Sequence, residues 1–241
     1  MKQKQYLPIS HYIYRAEVVA KTQTIFTLIR KTMNPILSLS LSFFLVFVFI
    51  TNLSPNNAAK QVLDIHGTPL IPGSQYYIFP ASENPNSGGL TLNKVGNLEC
   101  PVTVLQNNAM IGLPVKFTIP ENSTGNILTG TDLEIEFTKK ADCAEASKWL
   151  MFVDHNTQLS CVGIGGATNY HGIETISGKF LIVKHGSGHV YRLGFCLDVT
   201  GNCGYIGLQM FNSEEGGSRL FLTAIDVYSV LFVEANGNSA L

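Results

Sequence analysis

The sequence predicts an all-β barrel or sandwich, and three observations carry that expectation. About eleven short apolar or alternating runs recur between residues 76 and 233, turn-forming residues separate them, and no stretch has a convincing amphipathic helical period. The runs are 76–79, 90–92, 102–105, 115–119, 133–137, 150–153, 180–183, 190–195, 204–208, 219–223 and 230–233. Their central apolar residues make Ile78, Val104, Phe137, Phe152, Leu181, Leu193, Leu208, Leu222 and Phe232 the expected core. A unit of this size buries about 70% of the surface its unfolded chain exposes, so it is large enough for a core that does not depend on cross-links alone.

The chain divides before these runs begin. Residues 1–59 are basic and then strongly apolar, with six Lys or Arg and one acidic residue. The apolar segment 36–50 would reach roughly 22 Å as a helix, short of a bilayer core of about 30 Å. It reads as the hydrophobic region of a signal peptide over 33–59, with cleavage near Ala59, and no stable membrane anchor is expected. Residues 1–32 precede Met33 and read as an upstream extension or an unusually long n-region. The domain then spans 60–241, and the expected destination is extracellular or vacuolar.

The opening of that domain parses as two strands joined by a turn. Gly67 and Gly73 can take positive φ, Pro69 and Pro72 fix φ, and residues 76–79 have strand character. Asp64 is expected to accept hydrogen bonds in the turn, and Tyr77 to be a core aromatic. Trp149, the only tryptophan, is expected to pack in the interior.

Composition excludes several functions. From Lys60 onward there are ten Lys or Arg against sixteen Asp or Glu, a net charge of about −6. Nucleic-acid binding draws on Lys and Arg, and Lys139-Lys140 is the only adjacent basic pair here, so no nucleic-acid partner is expected. The motifs of hydrolytic triads, zinc proteases, P-loops and dinucleotide folds are absent, which argues against an enzyme. His185 and His189 come close together across a Gly-Ser-Gly hairpin tip, but two ligands leave a metal shell unfilled, so neither metal nor cofactor is expected.

Five cysteines in an exported chain imply disulfides, and their spacing by itself leaves fifteen ways to form two bridges. Cys161 lies in an apolar setting and reads as a small buried hydrophobe, with an intermolecular bridge as the alternative.

Val62, Asp64, Gly67, Gly73, Tyr76 and Tyr77 fall at the spacing that opens plant Kunitz-type chains, the soybean-trypsin-inhibitor-like family. Segments 98–106, 143–149, 172–176, 191–196, 203–207 and 219–222 follow in that family's order, so the sequence resembles it over nearly the whole domain. The resemblance implies a β-trefoil of about twelve strands, in three units of roughly 60 residues around a pseudo-threefold axis. It also implies bridges Cys100–Cys143 and Cys196–Cys203, leaving Cys161 unpaired in a monomer.

The same resemblance implies a protease inhibitor whose loop, inside the first disulfide ring, enters a serine protease cleft as a substrate would. The matching residues are Glu121, Asn122, Ser123, Thr124, Gly125 and Asn126. No Lys or Arg occurs from Pro120 to Leu133, so weak or no trypsin inhibition is expected, and an elastase-like or subtilisin-like enzyme is the expected target. Asn122, Ser123 and Thr124 form a glycosylation sequon within this loop, and Pro72 stands where the family often has a loop-bracing Asn. A non-inhibitory defence or storage protein, or a carbohydrate-binding trefoil, is the alternative. The latter would carry sugar-stacking aromatics at matching places in each unit.

Overall fold

A computed structural model describes residues 59–82, 88–120, 125–211 and 213–235, all within a compact unit that begins at Ala59. Thirteen strands and one turn of 3-10 helix, Ser213–Glu215, make up its regular structure. In chain order the strands are β1 Gln75–Pro80, β2 Leu90–Asn93, β3 Thr103–Gln106, β4 Val115–Thr118, β5 Glu134–Phe137, β6 Trp149–Val153 and β7 Ser160–Ile164. They continue as β8 Thr175–Ile176, β9 Gly178–Lys184, β10 Tyr191–Leu197, β11 Cys203–Gln209, β12 Ser218–Thr223 and β13 Ser229–Glu234. All the pairings are antiparallel.

Six strands form a closed ring. β1 pairs with β4 and β13, β4 with β5, and β10 with both β9 and β13. The bridge Leu133↔Phe180 joins the start of β5 to β9 and completes the circuit. Closure leaves these strands without a free edge, which antiparallel sheets must otherwise protect.

The other strands form three hairpins, β2–β3, β6–β7 and β11–β12, whose second strands pair with one another. Thr103 faces Gly163, Cys161 faces Phe221, and Ser218 and Arg219 face Gln106 and Leu105. Three like hairpins meeting pairwise are the pseudo-threefold of a β-trefoil. β8 and β9 are one trefoil strand broken at Ser177, which makes thirteen segments of twelve.

Aromatic contacts fill the interior. Phe117 meets Phe232 edge-on at 5.5 Å, Trp149 lies 5.6 Å from Phe137 and 5.7 Å from Phe180, and Phe180 meets Phe195 at 4.9 Å. Such pairs contribute about 0.5–1.5 kcal/mol each beyond the area they bury. Gly163 is a packing requirement, since a Cβ there would meet the Tyr170 hydroxyl at 2.1 Å. That hydroxyl donates to the Ile164 carbonyl, 3.0 Å away, so the missing side chain gives room for a buried hydrogen bond.

Several details differ from the sequence reading. Tyr76, not Tyr77, is the core aromatic of β1, because side chains alternate and the inward set is Tyr76 and Ile78. Tyr77 is half-buried. Of the expected core, Ile78, Val104, Phe137, Phe152, Leu193 and Phe232 are buried, whereas Leu181, Leu208 and Leu222 are only partly so. Leu181 and Leu222 pack over Gly194 and Gly204, which lie on the neighbouring strands, and the inward places go to Ile182, Ile206 and Leu220. The first of the two expected opening strands forms only the isolated bridges Gln61↔Leu128 and Leu63↔Pro69. β7, which runs into Gly165 and Gly166, and the two-residue β8 are additional strands.

Cys161 on β7 lies where the three hairpins meet and is wholly buried with a free thiol. Burial pushes that thiol up to about 11, with the nearby Arg219 guanidinium pulling the other way. At about pH 8 roughly a thousandth of it is thiolate, the form that reacts. Native protein is therefore expected to resist an aromatic disulfide reagent and to release about one equivalent of thiol once unfolded in guanidinium. Rapid labelling of the native state would contradict this burial.

Candidate functional site

The chain leaves the barrel between β4 and β5. Glu121, Asn122, Ser123 and Thr124, including the sequon, lie outside the described residues. Gly125 is exposed, Asn126 is half-buried, and Ile127 is fully buried and anchors the returning arm.

Both arms of the loop are tied to the opening segment. The Gly73 amide donates to the Phe117 carbonyl at 2.9 Å on the outgoing side, and the Ile127 amide donates to the Leu70 carbonyl at 3.0 Å on the returning side. Val62 then donates to Ile127, Thr129 donates to Lys60, and the Lys60 amide donates to the Thr129 hydroxyl. The Thr131 hydroxyl caps the turn by donating to the Leu128 carbonyl at 2.8 Å. Segment 60–73 can do this because its own turn is fixed: Asp64 accepts the amides of His66 and Thr68, and Gly67 and Gly73 hold φ of +83° and +82°. Pro72 offers no side-chain donor, and backbone groups on either side of it, at Leu70 and Gly73, brace the loop.

The Cys100–Cys143 bridge, with Cα atoms 5.9 Å apart, encloses this whole excursion. The second bridge, Cys196–Cys203, closes the β10–β11 hairpin elsewhere. Beside the loop lies a cleft of about 770 Å³ lined by Gln61, Ile119, Pro120, Asn126, Asp132 and Lys179 among others. Lys179 reaches it from β9, a contribution that no local spacing announces. Lys116 stays in β4, facing Gln75 and Glu136 across the sheet, and does not enter the loop.

The histidines fall in two places, His155 with His171 beside one cleft and His66 with His185 and His189 at the β9–β10 tip. His185 and His189 flank the β9–β10 tip, His155 binds the Gly172 carbonyl through Nε2 at 3.1 Å, and His66 sits in the opening turn. Among the described residues no cluster of three His, Cys, Asp or Glu side chains is placed to hold a metal, and no helix is long and apolar enough to cross a membrane.

A profile of the legume Kunitz group, described as trypsin and protease inhibitor, matches residues 62–234. A Kunitz-type trypsin inhibitor-like protein of Pisum sativum is 52% identical over 213 residues, covering 86% of this chain and 97% of its own. A subtilisin inhibitor of Canavalia lineata is 42% identical over 183 residues, covering 75% and 95%. Among solved structures, a Kunitz-type trypsin inhibitor from Cicer arietinum superposes with a TM-score of 0.69 at 53% identity, covering 73% of this chain and 99% of that one.

Proposed function

The chain belongs to the legume Kunitz family of trypsin and protease inhibitors, and from that premise we propose that it is a secreted, monomeric inhibitor of serine endopeptidases acting through residues 121–126. The family is one of inhibitors and not of enzymes. The observation that carries the reading is the bracing of both loop arms by segment 60–73 inside the Cys100–Cys143 ring. A loop held in advance loses little entropy on entering a protease cleft, so its contact area converts efficiently into affinity. Export is supported by the Pisum sativum match, which covers more positions than 60–241 contains and so runs into the apolar leader.

The loop's own chemistry selects the target class. Trypsin-type pockets end in a buried carboxylate that a Lys or Arg must satisfy, and none occurs from Pro120 to Leu133. Leaving that carboxylate unpaired on desolvation costs several kcal/mol, and each 1.4 kcal/mol is tenfold in affinity. Trypsin inhibition is therefore expected to be roughly a hundredfold or more weaker than that of a relative with a basic loop residue. A small neutral pocket, as in elastase-like or subtilisin-like enzymes, suits Asn122, Ser123 or Thr124, provided that Asn122 carries no glycan.

The test is a panel of trypsin, chymotrypsin, elastase, subtilisin and a papain-like protease against the secreted protein, with and without Asn122→Gln. Inhibition of elastase or subtilisin, strengthened by removing the sequon, is the expected result. Nanomolar inhibition of trypsin would overturn the loop assignment. Inactivity across the panel in both forms would replace the inhibitor reading with that of a non-inhibitory defence or storage protein.

A further inference from the structure

The opening segment crosses the β9–β10 hairpin, and the crossing gathers cations. The Leu63 amide donates to the Tyr191 hydroxyl at 2.9 Å, and Gly67 lies so close to the His189 ring that an added Cβ would sit 3.3 Å from its Cε1. Lys60 and His66 thereby come to the hairpin that carries Lys184, His185, His189 and Arg192. Lys60, His66 and Lys184 are exposed, and the other three are half-buried.

These charges are positioned without being neutralised. Lys184 donates to the carbonyls of Gly188 and Val190, and its ammonium sits 4.6 Å from the centre of the Tyr191 ring. Burial, and then the neighbouring Lys60 ammonium, hold Lys184 below the ordinary lysine range, as expected where positive charge accumulates. Arg192 Nη2 lies 2.9 Å from His185 Nε2, and since a guanidinium cannot accept, the imidazole is the acceptor. Arg192 Nε is buried with no hydrogen-bond partner among the described residues.

Among the described residues no ion pair joins a carboxylate to this face, and Asp132 lies by the cleft of Gln61 and Lys179. Asp64, in the crossing segment, is buried and uses Oδ1 on the amides of His66 and Thr68. Glu234 on β13 acts on Tyr76, and Lys179 stands at the far end of β9. The ion pairs found among the described residues are Lys148–Glu134 and those of Arg219 with Asp154 and Glu215. None involves Lys60, Lys184 or Arg192, three cations that stand together on an acidic domain.

We infer that this face binds acidic polysaccharide, a repeating carboxylate-bearing chain laid across residues 60–66 and the β9–β10 hairpin. The cations come from two crossing segments on an exposed face, which suits a repeating anion better than a single phosphate. His185 serves as a positioning residue for Arg192. An exported protein, as proposed above, meets such polymers outside the cell.

The probe is polygalacturonate, titrated calorimetrically into protein secreted from the full-length sequence, at neutral pH in low salt. Binding is expected to weaken sharply in about 1 M salt, where the screening length falls to roughly 3 Å. Lys60→Gln with Lys184→Gln should weaken binding sharply, and Lys139→Gln with Lys140→Gln should leave it unchanged. Thermal unfolding checks each fold, and Lys60→Gln alone serves if the Lys184 change unfolds the protein. Absence of binding, equal loss in the Lys139/Lys140 variant, or undiminished binding in the Lys60/Lys184 variant would overturn the inference. So would tighter binding to anionic phospholipid vesicles or to free sulfate than to the polymer.

Discussion

Replacing Arg219 by alanine is expected to lower the free energy of unfolding by about 3–5 kcal/mol, the usual cost of removing one partner from a buried ion pair. Arg219 on β12 is 4% exposed. Its Nη1 donates to Asp154 Oδ2 at 2.7 Å, its Nε donates to Glu215 Oε2 at 2.7 Å, and its guanidinium lies 4.7 Å from the Phe211 ring. Asp154 belongs to the β6–β7 turn and Glu215 to the 3-10 turn, so one side chain stitches two of the three hairpins together. Without it, two largely buried carboxylates face each other with no counter-charge. Urea denaturation measures the loss, and Arg219→Met combined with Asp154→Leu and Glu215→Leu should recover much of it, since the penalty lies in the uncompensated charge. A loss below about 1 kcal/mol in the single variant would show that the carboxylates find other solvation.

The same group sets an acid limit. Burial alone would raise Asp154, but the Thr157 hydroxyl, Arg219 and the Asn156 amide together outweigh it, leaving its carboxyl below the ordinary aspartate range. A depressed carboxyl contributes stability that is present above its unfolded value, near pH 4, and is lost as pH falls through the lower folded value. Native protein should thus keep this contribution at mildly acidic pH and lose it only below about pH 4. Arg219→Ala should unfold at a higher pH in an acid titration followed by near-ultraviolet dichroism.

Removing the Cys100–Cys143 bridge by paired serine substitution should cost about 4 kcal/mol, against about 2 kcal/mol for Cys196–Cys203, by the loop-entropy relation. The difference follows from sequence separations of 43 and 7. For a domain of this size the larger loss corresponds to a fall of roughly 8–16 °C in Tm. Because the wider ring holds the candidate inhibitory loop, its removal should also shorten the lifetime of the protease complex as cleavage of the loop becomes less reversible. Differential scanning calorimetry separates the two bridges. Equal losses would mean that strain, and not ring size, sets their contribution.

Much of this was written locally in the chain. Short apolar or alternating runs mark eleven of the thirteen strands by themselves, because each has a face to bury, and the turn chemistry of Asp64, Gly67 and Gly73 is fixed within a few residues. β7 was not legible: Ser160–Ile164 with its following glycines reads as a turn, and only Tyr170, brought over Gly163 by the fold, explains why a glycine belongs in a strand there. Nor was the inward face of β1 legible, since Tyr76 and Tyr77 are chemically alike and pairing with β4 and β13 decides which one is buried.

What the sequence determined by itself was whatever neighbouring residues can decide: the all-β class, the turns and the lack of Lys or Arg in residues 121–126. Tertiary structure decided what needs residues distant in the chain. Closure of the barrel through Leu133 and Phe180, the bracing of the loop by Leu70 and Gly73, the Asp154–Arg219–Glu215 cluster and the cationic crossing of Lys60 with Lys184 all join segments far apart in sequence. The physical reason is that hydrogen bonding and charge act at a few ångströms, and only the folded backbone brings such partners within that range.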